Sequence, residues 1–310
     1  MRARVYKSTG SWYTVKTEEG NFCVARIKGI FKLDGITSTN PLAVGDWVKM
    51  EHEAGGEEGG WIITGIDSRN NYINRLSPAN KYQHHIIASN LDQSILIATL
   101  KDPKTSQGFV DRFLVAGESY HIPSVIVFNK SDIYREKEMN LFHERKQMYA
   151  SIGYKVVLMS LEQQTGMEEI ENILRNKTTL LSGHSGVGKS SFINSVVPGK
   201  ELKTQDVSGW SGKGIHTTTF AEMYDIPLLN ARIVDTPGIR EFGLVDIPKQ
   251  ELSHYFPEMR SRLQDCQFNN CLHINEPGCA IKKALNEGKL SLDRYVSYCM
   301  MLDSIEEKTY

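Results

Sequence analysis

The sequence predicts a multidomain α/β protein: a small β-barrel, then a parallel α/β domain, then a helical segment. Three observations carry that prediction. Short alternating strands fill residues 1–75, unbroken apolar runs alternate with helix-like stretches beyond residue 85, and three cysteines crowd a strand-free C-terminal part. Half-buried strands alternate apolar and polar residues, whereas parallel strands buried on both faces read as continuous apolar runs.

The chain has 310 residues, enough for two or three domains. Apolar residues make up 40% and charged residues 24%, a globular balance that excludes wholesale disorder. No apolar run approaches the ~20 residues that span a bilayer, and the opening MRARVYKSTG lacks the apolar core of a signal peptide. The expectation is a cytoplasmic protein without membrane contact. The formal net charge is −1, yet residues 1–50 carry eight Lys/Arg against four Asp/Glu. That local excess leaves a nucleic-acid partner open.

The barrel strands read RARVYKS, WYTVK, NFCVARI, GDWVKME and GWIITGI, separated by turn signals. Five such strands suit a closed barrel, OB-like or SH3-like. After residue 85, strand-like SILIATL, SVIVF, VVLMS, TTLLS and RIVD alternate with helix-like stretches at 109–121, 135–153 and 167–176. Alternation of this kind builds a parallel sheet covered by helices. Residues 245–310 read as helices around a compact knot. The expected domains are 1–75, 80–245 and 246–310.

Residues 182–191 read SGHSGVGKSS. Gly183, Gly188, Lys189 and Ser190 fit G-x-x-x-x-G-K-[ST]. His184, Ser185, Gly186 and Val187 fill the loop, and Ser191 leads into the helix. The strand TTLLS precedes and SSFINSVV follows, the context that a phosphate loop requires. Glycines let backbone N–H groups turn toward phosphate oxygens, and the helix N-terminus adds its dipole. Lys189 is placed to reach the β- and γ-phosphates, and the Ser190 hydroxyl to ligate Mg²⁺.

SVIVFNKSD sets Asn129, Lys130, Ser131 and Asp132 just after an apolar strand, where ligands of open α/β sheets bind. A carboxylate at Asp132 accepts both the ring N–H and the exocyclic amine of guanine. Adenine offers no such pair, so GTP fits better than ATP. DTPG follows the strand ARIVD, which suits Asp235 to the Mg²⁺ shell and the Gly238 N–H to a γ-phosphate. Between these motifs, SGWSGKGIHTTT (208–219) reads as a loop closing one threonine, Thr218 or Thr217, on Mg²⁺. Ile239 stands where Ras-like GTPases place a water-orienting glutamine, which makes His216 the candidate for that task.

The motif order is permuted: the guanine reader at 129–132 comes before the phosphate loop at 183–190. VVLMSLEQQTG between them reads as a base-contacting loop. Joining the usual last helix to the usual first strand gives a circular permutation, which is sterically cheap where chain ends lie close.

CQFNNCLHINEPGC spaces Cys266, Cys271, His273 and Cys279 as C-x4-C-x-H-x5-C. Three thiolates and an imidazole make a closed tetrahedral Zn²⁺ site with no position left for chemistry. Cys23 and Cys299 are expected to pack as small apolar side chains.

The permuted order together with GHSGVGKSS, GKGIHTTT, DTPGIREFGL and the Cys3His knot closely resembles the ribosome small-subunit-dependent GTPase A (RsgA) family over essentially the whole chain. The resemblance implies an OB-fold barrel, a circularly permuted P-loop GTPase domain and a C-terminal helical zinc domain. It implies GTP hydrolysis stimulated by the small ribosomal subunit during its late maturation, with 16S rRNA as partner and a monomeric chain. Ser160–Leu161 stands where Ser-Ala is usual. Arg2, Arg4, Lys7, Arg26, Lys28 and Lys32 then become candidates for rRNA phosphates, and a subset of Trp12, Tyr13, Phe22 and Phe31 for stacking on unpaired bases, since some of these aromatics must fill the barrel. An RNA-binding module holding GTP as a structural ligand is the alternative, distinguished by absent turnover. The N-K-x-D reader argues against a small-molecule kinase.

Overall fold

Five strands wind the N-terminal part into a barrel: β1 (Arg2–Ser8), β2 (Tyr13–Thr17), β3 (Phe22–Ile27), β4 (Trp47–His52) and β5 (Trp61–Ile66). The computed structural model describes residues 1–27, 41–53, 60–76, 84–202, 221–236 and 247–305. β1 pairs antiparallel with both β2 and β4, and β3 pairs parallel with β5. The circuit 1-2-3-5-4-1 is the Greek-key order of an OB barrel, a distinction that strand count left open. Alternation turns Val5, Tyr13, Val15, Val48 and Ile63 into its core.

This packing shows which aromatic fills the barrel and corrects one RNA-contact expectation, Arg4. Tyr13 fills the barrel at 1% exposure. Arg4 is buried between barrel and α/β domain, donating to Thr178 Oγ1 at 3.2 Å and to the carbonyls of Gly45 and Asn90 at 3.3 and 3.1 Å. Burial first, and then the charge of Arg232, lower its pKa to about 10. Lys28, Phe31 and Lys32 lie outside the described residues.

A hairpin of β6 (Tyr72–Leu76) and β7 (His84–Ser89) leads out of the barrel. The sequence reading placed no hairpin there, because Asn, Arg and His interrupt both alternation and apolar runs.

The α/β domain follows as β8 (Gln93–Ala98), α1 (Gln107–Ser119), β9 (Ser124–Phe128), α2 (Glu136–Ser151), β10 (Lys155–Leu158), α3 (Met167–Leu174), β11 (Thr178–Ser182), α4 (Lys189–Val196), β12 (Glu222–Ile226) and β13 (Ala231–Asp235). Its strand order is β10-β9-β8-β11-β13-β12. All but β12 run parallel, so their carboxyl ends share one edge. Every residue of β8, β9 and β11 is buried, as unbroken apolar runs require. β12 escaped the sequence reading, since EMYDI carries two acids that face the barrel. Its outer edge pairs with β1, fusing barrel and domain into one 11-stranded sheet. That pairing covers what is otherwise an open sheet edge.

The C-terminal part carries α5 (Pro257–Arg260), α6 (Ala280–Asn286) and α7 (Leu292–Ser304), with no strand among its described residues. It is tied to α1 by a fully buried Arg294. That guanidinium donates to Asp111 Oδ1 and Glu258 Oε1, both at 2.7 Å, and lies 4.6 Å from the Phe256 ring centre. Tyr149 donates to the same Asp111 oxygen at 2.8 Å.

Candidate nucleotide site and metal centre

The carboxyl edge of the sheet carries two loops that are bonded to each other. Gly183 leaves β11 with φ +155°, and a Cβ there falls 2.5 Å from the Ile97 carbonyl. Gly188 enters α4 with φ +96°, and a Cβ there collides with Asn129 Nδ2. Only glycine lets the phosphate loop pass this close to β8 and to the guanine reader. Asn129 is buried, and its Nδ2 donates to the Val187 carbonyl at 2.9 Å. The side chain that opens the reader therefore fixes the phosphate loop.

The reader itself is braced from three sides. Asn129 N–H donates to Ala98 at 2.8 Å. The Tyr134 hydroxyl donates to the Asn129 carbonyl at 2.6 Å and accepts from Leu100 N–H at 2.9 Å. Burial pushes this phenol up to about 12, so it remains a donor at neutral pH. Lys130 takes a left-handed backbone, φ +64°, and its ammonium donates to the Asp102 carbonyl at 2.6 Å, which stretches its stem along the site. Ser131 N–H donates to Met159 at 3.1 Å. Ser160, wholly buried, donates from Oγ to Asp132 Oδ1 at 2.6 Å and accepts from Gln163 N–H at 3.1 Å. The serine of the base-contacting loop thus aims the carboxylate, and Leu161 lies beside Gly188.

On the phosphate side, the Lys189 ammonium donates to the Thr236 carbonyl at 2.7 Å and pairs with Asp235 Oδ1 at 3.1 Å. Burial pushes the Asp235 carboxyl up, and Lys189 opposes that shift. A buried carboxylate at a strand end, with the Ser190 hydroxyl on the first turn of α4, is a hard-oxygen donor set of the kind Mg²⁺ takes. Ser185 stands exposed in the loop, and Gly186 turns it at φ +82°. Ser191 is half-buried on α4. The His184 ring stacks on Phe109, centroids 3.6 Å apart at 32°, and burial pushes its pKa down.

Sequence reasoning did not single out Phe109 or Tyr134. Neither sits in a motif, and only the tertiary fold brings α1 to the phosphate loop. His216, Thr217, Thr218, Gly238 and Ile239 lie outside the described residues.

The knot brings Cys266, Cys271, His273 and Cys279 together, with all four ligand atoms within 4.8 Å of one another. His273 Nδ1 lies 3.7 Å from Cys266 Sγ and 3.5 Å from Cys279 Sγ. Ligands about 2.0–2.3 Å from a tetrahedral ion are ~3.6 Å apart, so the cluster fits one metal ion. Glu276 accepts from the N–H groups of Leu272, Ile274 and Asn275 at 2.8–3.0 Å, which stiffens the loop. Tyr295 and Tyr298 of α7 donate to the carbonyls of His273 and Leu272 at 2.7 and 2.9 Å. The knot thereby anchors the helix that carries Arg294. Cys23 and Cys299 pack half-buried against the barrel and C-terminal cores, and burial pushes both thiols up.

Fold and cradle define a P-loop nucleotide-binding protein in permuted order. The RsgA GTPase domain family matches residues 66–245, and the RsgA N-terminal domain family matches residues 3–62. A curated relative from Christiangramia forsetii, named small ribosomal subunit biogenesis GTPase RsgA, is 48% identical over 99% of this chain and 97% of its own. One of the same name from Cytophaga hutchinsonii is 49% identical over 97% and 98%. The crystal structure of YjeQ from Thermotoga maritima superposes with a TM-score of 0.78 at 31% identity, covering 98% of this chain and 97% of that one. That of YloQ, described as a circularly permuted GTPase, gives 0.74 at 29% over 100% and 96%. The chain belongs to the RsgA GTPase family.

Proposed function

We propose that this GTPase hydrolyses GTP to GDP and phosphate as a late maturation factor of the small ribosomal subunit, which it binds through rRNA and which activates it. The observation that carries the reading is the Asn129–Val187 bond, which welds guanine reader and phosphate loop into one cradle. The relatives' name supplies the small subunit.

In this reading Asp132 accepts the two guanine donors, held on aim by Ser160. Asn129 fixes the loop, Lys130 covers the base plane, and Ser131 keeps the turn. Backbone N–H groups from Gly183 through Ser191 surround the phosphates, and Lys189 moves from Asp235 and Thr236 onto their oxygens. Asp235, Ser190 and Thr218 would hold Mg²⁺, which would supply neutralisation of phosphate charge. His216 orients the attacking water, Ile239 being unable to. Water adds to the γ-phosphorus, the bond to the GDP oxygen breaks, and the Gly238 N–H registers the loss of the γ-phosphate.

Cys266, Cys271, His273 and Cys279 hold one structural Zn²⁺, since a three-thiolate, one-imidazole set favours that ion. On the barrel, Trp12 and Phe22 are 54% and 56% exposed, and the Lys16 ammonium lies 5.3 Å from the Phe22 ring centre. This cation–aromatic face suits unpaired 16S rRNA bases. No helix among the described residues is long and apolar enough to cross a membrane. In this reading the chain works as a monomer in the cytoplasm, where small subunits mature. The functional units are residues 1–75, 80–245 and 246–310.

The test is GTP turnover with and without purified small subunits. Strong stimulation is expected. Bound GTP without turnover in either condition returns the chain to an RNA-binding module.

A further inference from the structure

β12 begins with Glu222, a residue outside every nucleotide motif. Its ladder positions are specific: Glu222 stands opposite Asp235 of β13 on one side and opposite Lys7 of β1 on the other. Residues directly opposite on antiparallel strands share a face, with Cβ atoms about 4.5–5.5 Å apart. Glu222 is thus the cross-strand neighbour of the carboxylate assigned to Mg²⁺. Its own carboxylate is held by two cations, Lys7 at 3.1 Å from Oε2 and Lys200 at 3.5 Å from Oε1. Lys200 belongs to the α/β domain, just past α4, whereas Lys7 comes from the barrel. The charge of Glu222 acts against that of Asp235, and the charge of Lys200 acts with it. Lys200 also lies 4.3 Å from the ring centre of Tyr224, two residues along the same strand face. The site therefore carries a second carboxylate whose charge the barrel partly cancels.

We infer that Glu222 is a positioning residue for the Mg²⁺ site and that Lys7, by neutralising it, lets the barrel set how tightly the α/β domain takes Mg²⁺. The inference rests on Asp235 being the metal carboxylate. Its physics is Coulombic. A negative charge within several ångströms of a half-buried divalent-ion site raises affinity, and an added positive charge lowers it. A polyanion that draws Lys7 off Glu222 leaves that carboxylate with Lys200 alone, raises its effective negative charge and tightens the metal site. Among the described residues, the Lys7–Glu222 ion pair joins β1 to β12 in their shared ladder, and it is then also a route by which barrel occupancy reaches the nucleotide.

The test uses the full chain and a fluorescent, non-hydrolysable GTP analogue. Nucleotide release is followed against Mg²⁺ concentration at low ionic strength, where screening is weak. Glu222→Gln, which keeps shape and ladder, is expected to raise the half-saturating Mg²⁺ about threefold or more. Lys7→Gln is expected to lower it by a similar factor, and the double variant to return to within about twofold of wild type. Shifts of opposite sign are the signature, because a merely structural pair loosens the site in both variants. Shifts of the same sign, or none in either variant, overturn the inference. Asp235→Asn separates the two levels. If it abolishes Mg²⁺ dependence while Glu222→Gln and Lys7→Gln do nothing, the barrel link alone fails. If it leaves Mg²⁺ dependence intact, the Asp235 assignment fails and the inference with it.

Discussion

The knot at 266–279 and the cradle at 129–236 are both polar sites in one chain, yet they are built on opposite principles. The knot takes its four candidate ligands from 14 consecutive residues, closes on itself, and gathers all four donor atoms within 4.8 Å of one another. The cradle draws Asn129 and Asp235 from two strand ends and Gly188 from the start of α4, and its central ammonium is shared between Asp235 and Thr236. A site that holds structure needs saturated coordination. A site that turns over needs groups whose present partners a ligand can replace. The two meet at Arg294, whose helix the knot anchors and whose charge Asp111 of α1 balances. α1 also carries Phe109 against the phosphate loop.

The sharpest way to break this contrast is to remove the metal. Structural zinc binding is worth roughly 10–16 kcal/mol in small metal-folded domains, so chelation or Cys279→Ser should unfold the C-terminal segment. Limited proteolysis should cut first within 247–305, while guanine-nucleotide affinity falls less than tenfold. A metal-free chain with a protease-resistant C-terminal segment contradicts the structural role.

Next in size is Arg294→Ala. Breaking a buried ion pair from one side costs about 3–5 kcal/mol, because Asp111 and Glu258 are left charged and buried. Thermal unfolding should shift down by several degrees, and Arg294→Met paired with Asp111→Asn should recover much of the loss. Stability unchanged in Arg294→Ala would mean that the C-terminal part is not locked to α1.

Asp132→Asn tests the cradle. It removes the acceptor pair and leaves guanine donors unpaired, at roughly 1–3 kcal/mol each, so GTP affinity should drop at least tenfold in equilibrium titration. Unfolding temperature should stay near wild type, in contrast to the two variants above.

The smallest effect is expected at Phe109→Ala. Loss of an aromatic stack is worth about 0.5–1.5 kcal/mol. KM for GTP should rise a fewfold as the phosphate loop loosens, with the C-terminal segment still protease-resistant. An unchanged KM assigns the stack to packing alone.

The difference between the two sites also explains what was legible. Cys266 to Cys279 could be read directly, because a metal site made from one short loop is written contiguously. Gly183 to Ser190 could be read for the same reason, since phosphate is gripped by successive backbone N–H groups. The guanine reader was legible as a motif, but its dependence on Ser160 and Tyr134 was not. Ser160 lies in the loop after β10, which the sequence marked as base-contacting without showing its bond to Asp132, and Tyr134 follows the reader just outside its motif, where no local signal marks it. Arg4 and Tyr13 looked like RNA contacts because a basic, aromatic strand reads alike on both faces. Their burial depends on which side the barrel turns inward and which domain docks against it. β12 was missed because its acids serve an interface that exists only once the barrel has docked.

By itself, the sequence marked the candidate groups: a phosphate-loop motif, an N-K-x-D motif and a Cys3His set, in permuted order. Each of these is local, because a turn, a helix N-terminus or a four-ligand loop needs only neighbouring residues to place its donors. Tertiary structure decided which charges face one another. The OB circuit of the barrel, the lock of Arg294 on Asp111, the Asn129 brace on Val187 and the alignment of Lys7, Glu222 and Asp235 all join residues far apart in the chain. Such pairings follow from strand order and register, and a shift of one residue in register turns every side chain of a strand to the other face. No local pattern in the sequence encodes that choice; it is settled when the sheet assembles.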